Sequence, residues 1–175
     1  ATGDTYISIE SLAGTDFNDT LVGNNNDNTL RGDTGGDRLN GMAGFDYASY
    51  SNAATTVRAS LLNPAINTGE ATGDTYISIE ALRGSAFNDT LIGDNKNNNL
   101  RGGLGADVLN GGAGFDNAGY NNSTTGLTVS LANSAINTGE AVGDTFISIE
   151  GLIGTAFKDT LIGDNNNNTL RGDLC

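Results

Sequence analysis

The chain has 175 residues, of which 26 are glycine, one is proline and one is cysteine, and its formal net charge is −13. Apolar residues make up 37 % and tryptophan is absent, which is poor for a conventional globular core but sufficient for the thin, continuous core of a solenoid. The negative charge disfavours nucleic acid and anionic membranes as partners, and no apolar stretch is long enough to span a membrane.

The sequence repeats itself at a spacing of 70 residues. GDTYISIE begins at Gly3 and at Gly73, and the variant GDTFISIE begins at Gly143. A fixed period without insertions indicates an array of equal structural units. We therefore predict one continuous solenoid domain over residues 1–175. Its units are 3–72, 73–142 and a truncated 143–175.

Each unit begins with blocks of nine residues, which in the first unit are 5–13, 14–22, 23–31, 32–40 and 41–49. A block combines a glycine-rich half, where the backbone turns tightly, with a short apolar half that suits a brief strand. Two blocks make one coil of eighteen residues, so blocks two apart stack on the same side. We predict no helix, because the 3.6-residue period is absent.

Leucine recurs at the eighth place of the blocks, and we predict that it forms the inward-facing core. The predicted core leucines are Leu12, Leu21, Leu30, Leu39, Leu82, Leu91, Leu100, Leu109, Leu152, Leu161 and Leu170. Phe17, Phe87 and Phe157 recur at the fourth place, and we expect them to plug their turns.

Two segments, 50–74 and 120–144, depart from the block pattern. Each contains an alternating strand, at 57–61 and 127–131, followed by a loop. We interpret each segment as an elaborated coil that keeps the stack continuous.

The blocks 102–110 and 111–119 fit G-G-x-G-x-D-x-U-x, where U is a large apolar residue, except that Ala118 is small. This pattern resembles the calcium-binding repeat of the RTX, or hemolysin-type, family. The resemblance implies an all-β fold, a single right-handed parallel β-roll with about two nonapeptide blocks per coil. It also implies a bacterial extracellular protein, secreted or on the cell surface, that leaves by type I secretion and folds on meeting Ca²⁺ outside the cell.

Carboxylates at the sixth place of the blocks are the candidate calcium ligands. Stacking puts Asp89 above Asp107 at the usual strand spacing of roughly 4.8 Å, where two carboxylates repel each other unless a cation lies between them. Carboxylate and turn-carbonyl oxygens suit Ca²⁺ better than Mg²⁺. The predicted metal residues are Asp19, Asp37, Asp46, Asp89, Asp107, Asp116, Asp159 and Glu80, with the turn glycines Gly32, Gly35, Gly41, Gly44, Gly102, Gly105, Gly111 and Gly114. The alternative for each aspartate is a solvated turn residue, and for Glu80 a hydrogen-bonding cap.

The two sides of the predicted roll differ in charge. One side has aspartate at every sixth place, whereas the other has Asn28, Asn98 and Asn168 between its carboxylates. An amide brings no charge to a divalent ion, so we predict tighter binding around the pairs Asp19/Asp37 and Asp89/Asp107, with Asp46 and Asp116 next.

The chain end and the arginines give two further expectations. Cys175 falls in the middle of a turn, so we expect an incomplete metal site at Asp159 unless a neighbouring molecule caps it. Arg31, Arg101 and Arg171 occupy the ninth place of their blocks, where we expect them to offset negative charge at a strand edge.

Catalysis finds little support in the sequence. Histidine is absent, and the paired carboxylates recur with the repeat whereas a catalytic site is normally unique. We therefore predict a non-enzymatic calcium-binding module. The alternatives are a structural or adhesive repeat of a surface-layer, matrix or filament protein, whose copies stack end to end or laterally, and a non-catalytic appendage of a secreted enzyme.

Overall fold

A computed structural model of the chain describes residues 9–172. This part consists of three-residue strands joined by tight turns, together with short 3-10 helices at Pro64–Ile66, Gly69–Ala71, Ser134–Ile136 and Gly139–Ala141. The strands are β1 (Ser11–Ala13), β2 (Thr20–Val22), β3 (Thr29–Arg31), β4 (Arg38–Asn40), β5 (Tyr47–Ser49), β6 (Arg58–Ser60), β7 (Thr75–Ile77), β8 (Ala81–Arg83), β9 (Thr90–Ile92), β10 (Asn99–Arg101), β11 (Val108–Asn110), β12 (Asn117–Gly119), β13 (Thr128–Ser130), β14 (Thr145–Ile147), β15 (Gly151–Ile153), β16 (Thr160–Ile162) and β17 (Thr169–Arg171).

One side of the molecule is a single parallel sheet, here called the long sheet. Its strand order is β1-β3-β5-β8-β10-β12-β15-β17, so it contains strands from all three sequence units. Its register pairs Leu12 with Leu30 and Leu82 with Leu100, which are residues eighteen positions apart. The predicted parallel β-roll with two nine-residue blocks per coil is confirmed.

The opposite side consists of three shorter parallel sheets, β2-β4-β7, β6-β9-β11-β14 and β13-β16. The breaks come from the divergent segments. Strand β6 pairs forward with β9, whereas β7, which follows it in the chain, pairs back with β4. The block 75–83 is the second-unit equivalent of the predicted block 5–13. It holds two strands and not the one predicted for a block, because Tyr76 pairs with Leu39 and adds the strand β7 before β8.

The core is a column of leucines, and most of the predicted positions are confirmed. The fully buried predicted leucines are Leu30, Leu39, Leu82, Leu91, Leu100, Leu109 and Leu152. Leu12, Leu21 and Leu161 are partly buried against this column, whereas Leu170 is 43 % exposed at the end of the described stack.

The predicted role of the turn phenylalanines was wrong. Phe17, Phe87 and Phe157 are exposed, Phe17 by 77 %. The turn interior is occupied instead by hydrogen-bonded polar groups, such as Asp89 with Ser85, so the aromatic rings point outward. Within residues 9–172 no helix has the length and apolar character needed to cross a bilayer.

Candidate metal sites

The turns that carry the sixth-place residues fall into two classes, which alternate in pairs along the chain. In closed turns the backbone N–H of the second residue donates to the sixth-place side chain. Thr15 donates to Asp19 Oδ2 at 2.6 Å, and Asp94 donates to Asn98 Oδ1 at 2.7 Å. The closed turns are 14–19, 23–28, 84–89, 93–98, 154–159 and 163–168.

In open turns the second residue has a left-handed backbone, and no such hydrogen bond forms. The value of φ is +63° at Asp33, +78° at Met42, +102° at Gly103 and +94° at Gly112. Because this conformation is costly for a residue with a Cβ, its presence at Asp33 and Met42 marks a constrained backbone. The open turns are 32–37, 41–46, 102–107 and 111–116.

Sixth-place carboxylates also link successive coils. In the open turns, Oδ1 of the aspartate accepts the backbone N–H of the sixth-place residue one coil earlier: Asp19 donates to Asp37 at 2.8 Å, and Asn98 donates to Asp116 at 2.6 Å. Asp89 donates to Asp107 Oδ1 in the same way, at 2.8 Å. The predicted stacking of these positions is therefore present, and the stacked pairs are held by backbone-to-carboxylate hydrogen bonds.

The second carboxylate oxygen separates the two classes. In the closed turns it has partners: Ser85 Oγ donates to Asp89 Oδ2 at 2.9 Å, and Thr15 Oγ1 donates to Asp19 Oδ2 at 2.8 Å. In the open turns Oδ2 is buried and has no hydrogen-bond partner. These orphaned oxygens belong to Asp37, Asp46, Asp107 and Asp116.

Glycine at the first place makes room for the orphaned oxygen. A Cβ built on Gly32 would lie 1.9 Å from Asp37 Oδ2, and one on Gly41 would lie 2.3 Å from Asp46 Oδ2. The other predicted turn glycines sit at equivalent points of the open turns. They are Gly102 and Gly111 at the first place, and Gly35, Gly44, Gly105 and Gly114 at the fourth place, where φ is positive.

Backbone carbonyl oxygens converge on two of the orphaned carboxylates. The Cβ position of Gly41 that lies 2.3 Å from Asp46 Oδ2 also lies 2.3 Å from Ser78 O. At Gly111 the corresponding distances are 2.5 Å to Asp116 Oδ2 and 2.2 Å to Ser148 O. These two sites therefore combine a carboxylate oxygen with a carbonyl oxygen from the following coil, and both are hard ligands.

Burial raises the pKa of each carboxyl group in the open turns. The pKa of Asp107 is raised to about 7, chiefly by desolvation, with repulsion from Asp144 and Asp89 adding to the effect. Desolvation likewise raises the pKa of Asp37, Asp46 and Asp116. A buried carboxylate without a counter-charge is unfavourable, so these groups need either a proton or a cation.

Asp74 and Asp144 were missed by the sequence analysis. Each continues the chain of links: Asp37 N–H donates to Asp74 Oδ1 at 2.8 Å, and Asp107 N–H donates to Asp144 Oδ1 at 2.9 Å. Burial raises the pKa of both carboxyl groups to about 6. The local signal was available, because Asp74 precedes Thr75 and an apolar residue just as Asp89 precedes Thr90 and Leu91.

Glu80 takes a capping position in the structure. Its Oε2 accepts the backbone N–H of Asp46 at 3.1 Å, and Oε2 of Glu150 accepts that of Asp116 at 2.9 Å. Within the described part of the chain, no three acidic, histidine or cysteine side chains gather closely enough to hold a metal ion by themselves. A metal at these turns would therefore need backbone carbonyl oxygens as well.

A family model described as the RTX calcium-binding nonapeptide repeat, in four copies, matches residues 13–48, 83–118 and 152–174, which make up more than half of the chain. The chain belongs to the RTX calcium-binding repeat family. The RTX matches leave out the divergent segments, where an earlier strand (β6) pairs forward along the chain and a later one (β7) pairs back. No curated protein matches the chain.

The donor set of the open turns fits the ion for which the RTX repeat is named. Each open turn offers a buried carboxylate oxygen that lacks a partner, and Asp46 and Asp116 each have a converging carbonyl oxygen. The closed turns of the RTX repeats offer no such oxygen at Asp19 and Asp89, whose carboxylates are satisfied by Thr15 and Ser85. Asp159 resembles them, because Thr155 donates to both of its carboxylate oxygens.

Proposed function

We propose that this chain is a calcium-binding module whose ions are held by the open turns, at Asp37, Asp46, Asp107 and Asp116. The observation that carries the proposal is the buried, unpartnered Oδ2 atom on each of these four residues. Leaving an ionised carboxylate oxygen buried without a partner costs several kcal/mol in order of magnitude, and a bound cation removes that cost.

Each group of an open turn has a defined part in holding the ion. Oδ1 of the aspartate is fixed by the hydrogen bond from the preceding coil, as in Asp19 N–H to Asp37 Oδ1, and this leaves Oδ2 as the ligand. The first-place glycine removes the side chain that would fill the site. At Asp46 and Asp116 the carbonyl oxygens of Ser78 and Ser148 add a second oxygen ligand. Bound Ca²⁺ would supply the positive charge that lets these buried carboxylates stay ionised.

Calcium binding is coupled to folding in this proposal. The sites exist only when successive coils are stacked, so the free energy of binding contributes directly to the free energy of folding. The net charge of −13 opposes compaction of the chain until cations neutralise part of it.

The same coupling supports a role outside the cell. We infer that the module belongs to a secreted bacterial protein, that it stays unfolded at the low Ca²⁺ concentration of the cytosol, and that it folds on reaching external Ca²⁺. The support for this inference is membership of the RTX family, whose repeats are typical of secreted bacterial proteins. In this reading the chain is a non-catalytic module.

Circular dichroism in the far ultraviolet tests the proposal. We expect the β-sheet signal in millimolar Ca²⁺ to be lost in excess EDTA, and to return when Ca²⁺ but not Mg²⁺ is added back. Isothermal titration of the metal-free chain with Ca²⁺ then reports the stoichiometry. An equal β-sheet signal in EDTA and in Ca²⁺ would overturn the coupling of binding to folding.

A further inference from the structure

The two full units differ at one arginine of the long sheet. In the first unit, Arg31 Nε lies 2.7 Å from Asp33 Oδ1, which forms an ion pair. The contact is not an aligned hydrogen bond, because the Nε–H of Arg31 has no acceptor along its own direction. Arg101 is the equivalent arginine 70 residues later, and Gly103 stands where the first unit has Asp33. No carboxylate among residues 9–172 forms an ion pair with Arg101, and its Nε is buried without a partner.

A second replacement opens a cavity beside the same arginine. Gly119 stands where the first unit has Ser49. A Cβ built on Gly119 would lie 2.9 Å from Asn99 Oδ1, 3.2 Å from Arg101 Cγ and 3.4 Å from Arg101 Nε. A cavity of about 190 Å³ lies here, lined by Arg83 and Arg101 together with both glycines. The two replacements thus remove the carboxylate that pairs with this arginine in the first unit, and they leave open space in which another group can lie.

The surface around this cavity is basic, although the protein is acidic. No strand of the long sheet contains aspartate or glutamate, and four of them, β3, β8, β10 and β17, end in arginine. The Arg101 guanidinium carbon lies 4.7 Å from the centre of the Tyr47 ring, which holds the charge in place through a cation–π contact. Arg83 and Arg101 outnumber Glu140 among the charged residues that line the cavity, so the lining favours an anion, in contrast to the net charge of the chain.

We propose that the cavity beside Arg101 binds the carboxylate group of an external ligand, which takes the place that Asp33 holds beside Arg31. In the first unit the arginine at this position forms an ion pair with a carboxylate. Guanidinium groups bind carboxylates through charge-assisted and often bidentate hydrogen bonds. The volume suits a small carboxylate or one acidic sugar residue. Gly103 of the open turn 102–107 lines the cavity, whereas Asp107, the proposed calcium ligand of that turn, does not.

Glu140 lines the cavity and makes a further test possible. Burial raises the pKa of the Glu140 carboxyl group, while a hydrogen bond with Ser123 and the charge of Arg83 oppose that rise. Because Glu140 and Arg83 both line the cavity, the negative charge of Glu140 opposes an entering carboxylate. Its replacement by glutamine should tighten binding, whereas a purely structural cavity would not respond in this direction.

Nuclear magnetic resonance of the ¹⁵N-labelled full chain at saturating Ca²⁺ tests the proposal directly. Sodium acetate is titrated against sodium chloride of equal ionic strength, with acetamide as the neutral analogue, and glucuronate as a second arm. We expect the Arg101 Nε–H resonance to shift saturably with acetate or glucuronate and to stay unchanged with acetamide. Tighter binding of glucuronate would identify an acidic sugar as the ligand, and tighter binding of acetate a small free carboxylate.

Matched variants decide whether the response belongs to this cavity. Arg101→Gln, and Gly119→Ser, which restores the residue of the first unit, should weaken binding by about ten-fold or more, as read from the amide resonance of Gly103. Arg31→Gln should leave the affinity unchanged. The double variant Asp33→Gly/Ser49→Gly should create a second responding site at Arg31, and glycine suits position 33 because its φ is +63°.

Two results would overturn the proposal. One is a parallel, non-saturating shift of Arg31 and Arg101 with every salt, which would mean general charge screening. The other is unchanged carboxylate affinity in Gly119→Ser when thermal unfolding shows that the variant is folded.

Discussion

Closed and open turns have the same length and the same place in the coil, and they differ in the backbone conformation of one residue. Both span six residues, both end in an aspartate or asparagine, and both feed three-residue strands in the same register. At Ser85 the backbone is in the ordinary region and its N–H satisfies Asp89, whereas at Gly103 the φ of +102° accompanies an unpartnered Asp107 oxygen. The sign of φ at the second place therefore decides whether a carboxylate is used by its own turn or left for a ligand.

The difference also sets a pattern at the level of coils. Each coil of two blocks has both of its turns closed, as in 14–31, or both open, as in 32–49. An open turn thus follows a closed turn on each side of the roll. The proposed metal-binding turns are therefore spaced by closed ones, although Asp89 and Asp144 still repel Asp107.

The largest expected effect comes from removing an open-turn carboxylate. Asp107→Ala should raise the Ca²⁺ concentration at the midpoint of folding by about ten-fold or more, because a charged ligand is lost. Asn98→Ala in a closed turn loses hydrogen bonds with the Asp94 N–H and the Glu80 carbonyl, and should cost about 1–2 kcal/mol of stability with little change in that midpoint. Circular dichroism during Ca²⁺ titration measures both, and equal midpoint shifts would remove the distinction between the turn classes.

Forcing an open turn out of its left-handed conformation should have the next largest effect. A Cβ at Gly112 would lie 2.4 Å from Asp94 O, and φ there is +94°. Gly112→Ala should therefore lower the free energy of unfolding by roughly 2–3 kcal/mol in Ca²⁺. Asn24→Ala, at the second place of a closed turn, loses two exposed hydrogen bonds, with the Asn26 N–H and the Ile9 carbonyl, and should cost about 1 kcal/mol. Urea denaturation provides the measurement, and a reversed order would contradict the backbone argument.

Acidification should partly replace calcium at the open turns. The pKa of Asp107 in the folded chain is about 7, above the value of about 3.9 in an unfolded chain, so the metal-free folded state binds more protons. Stability without metal is therefore gained as pH falls from about 7 to about 4, and lost as pH rises through the folded pKa. In EDTA we expect β-sheet circular dichroism to increase over this range, and Asp107→Asn to reduce the increase. A β-sheet signal that falls on acidification in EDTA would contradict this prediction.

The smallest expected effect comes from one tyrosine hydroxyl near Asp74 that the second unit lacks near Asp144. In the first unit Asn67 Nδ2 donates to the Tyr76 hydroxyl at 3.0 Å, beside the Tyr50 hydroxyl that donates to Asp74 at 2.7 Å. In the second unit Phe146 replaces Tyr76, and the equivalent amide nitrogen, Asn137 Nδ2, is buried without a partner.

This difference predicts opposite effects of two reciprocal changes. Phe146→Tyr should stabilise the chain by about 1 kcal/mol because it supplies the missing acceptor, and Tyr76→Phe should destabilise it by a similar amount. Differential scanning calorimetry in Ca²⁺ measures both. A loss of stability in both variants would mean that the second unit has repacked around the phenylalanine.

The sequence was sufficient where the structure is set by local pattern. The period of nine placed Leu30, Leu91 and Leu109 in the core, because a three-residue strand with one inward side chain depends only on its own block. The two turn classes were not apparent, because Asp33 and Met42 adopt the left-handed backbone without being glycine.

The inverted strands of the divergent segments could not be predicted from local pattern either. Strand β6 pairs with β9 and strand β7 pairs with β4, and in each pair the two strands are far apart in the sequence. Alternating apolar residues predict that a segment is a strand, but they do not indicate which strand it pairs with. Asp74 and Asp144 have the same local signal as Asp89, but their role also depends on β7 and β14 joining the opposite side, which the local pattern does not show.

The inverted pairing means that the 70-residue sequence repeat is not the physical building block of the molecule. The sheet β6-β9-β11-β14 takes its first strand from the unit before 73–142 and its last strand from the unit after it. Consecutive units therefore interlock. Strand β6 of one unit pairs with a strand of the next unit, and strand β7 of that next unit pairs back with the first. Cutting the chain between residues 72 and 73 would separate β6 from β9 and β7 from β4. Adding or removing a whole 70-residue period would preserve the strand pairing between consecutive units.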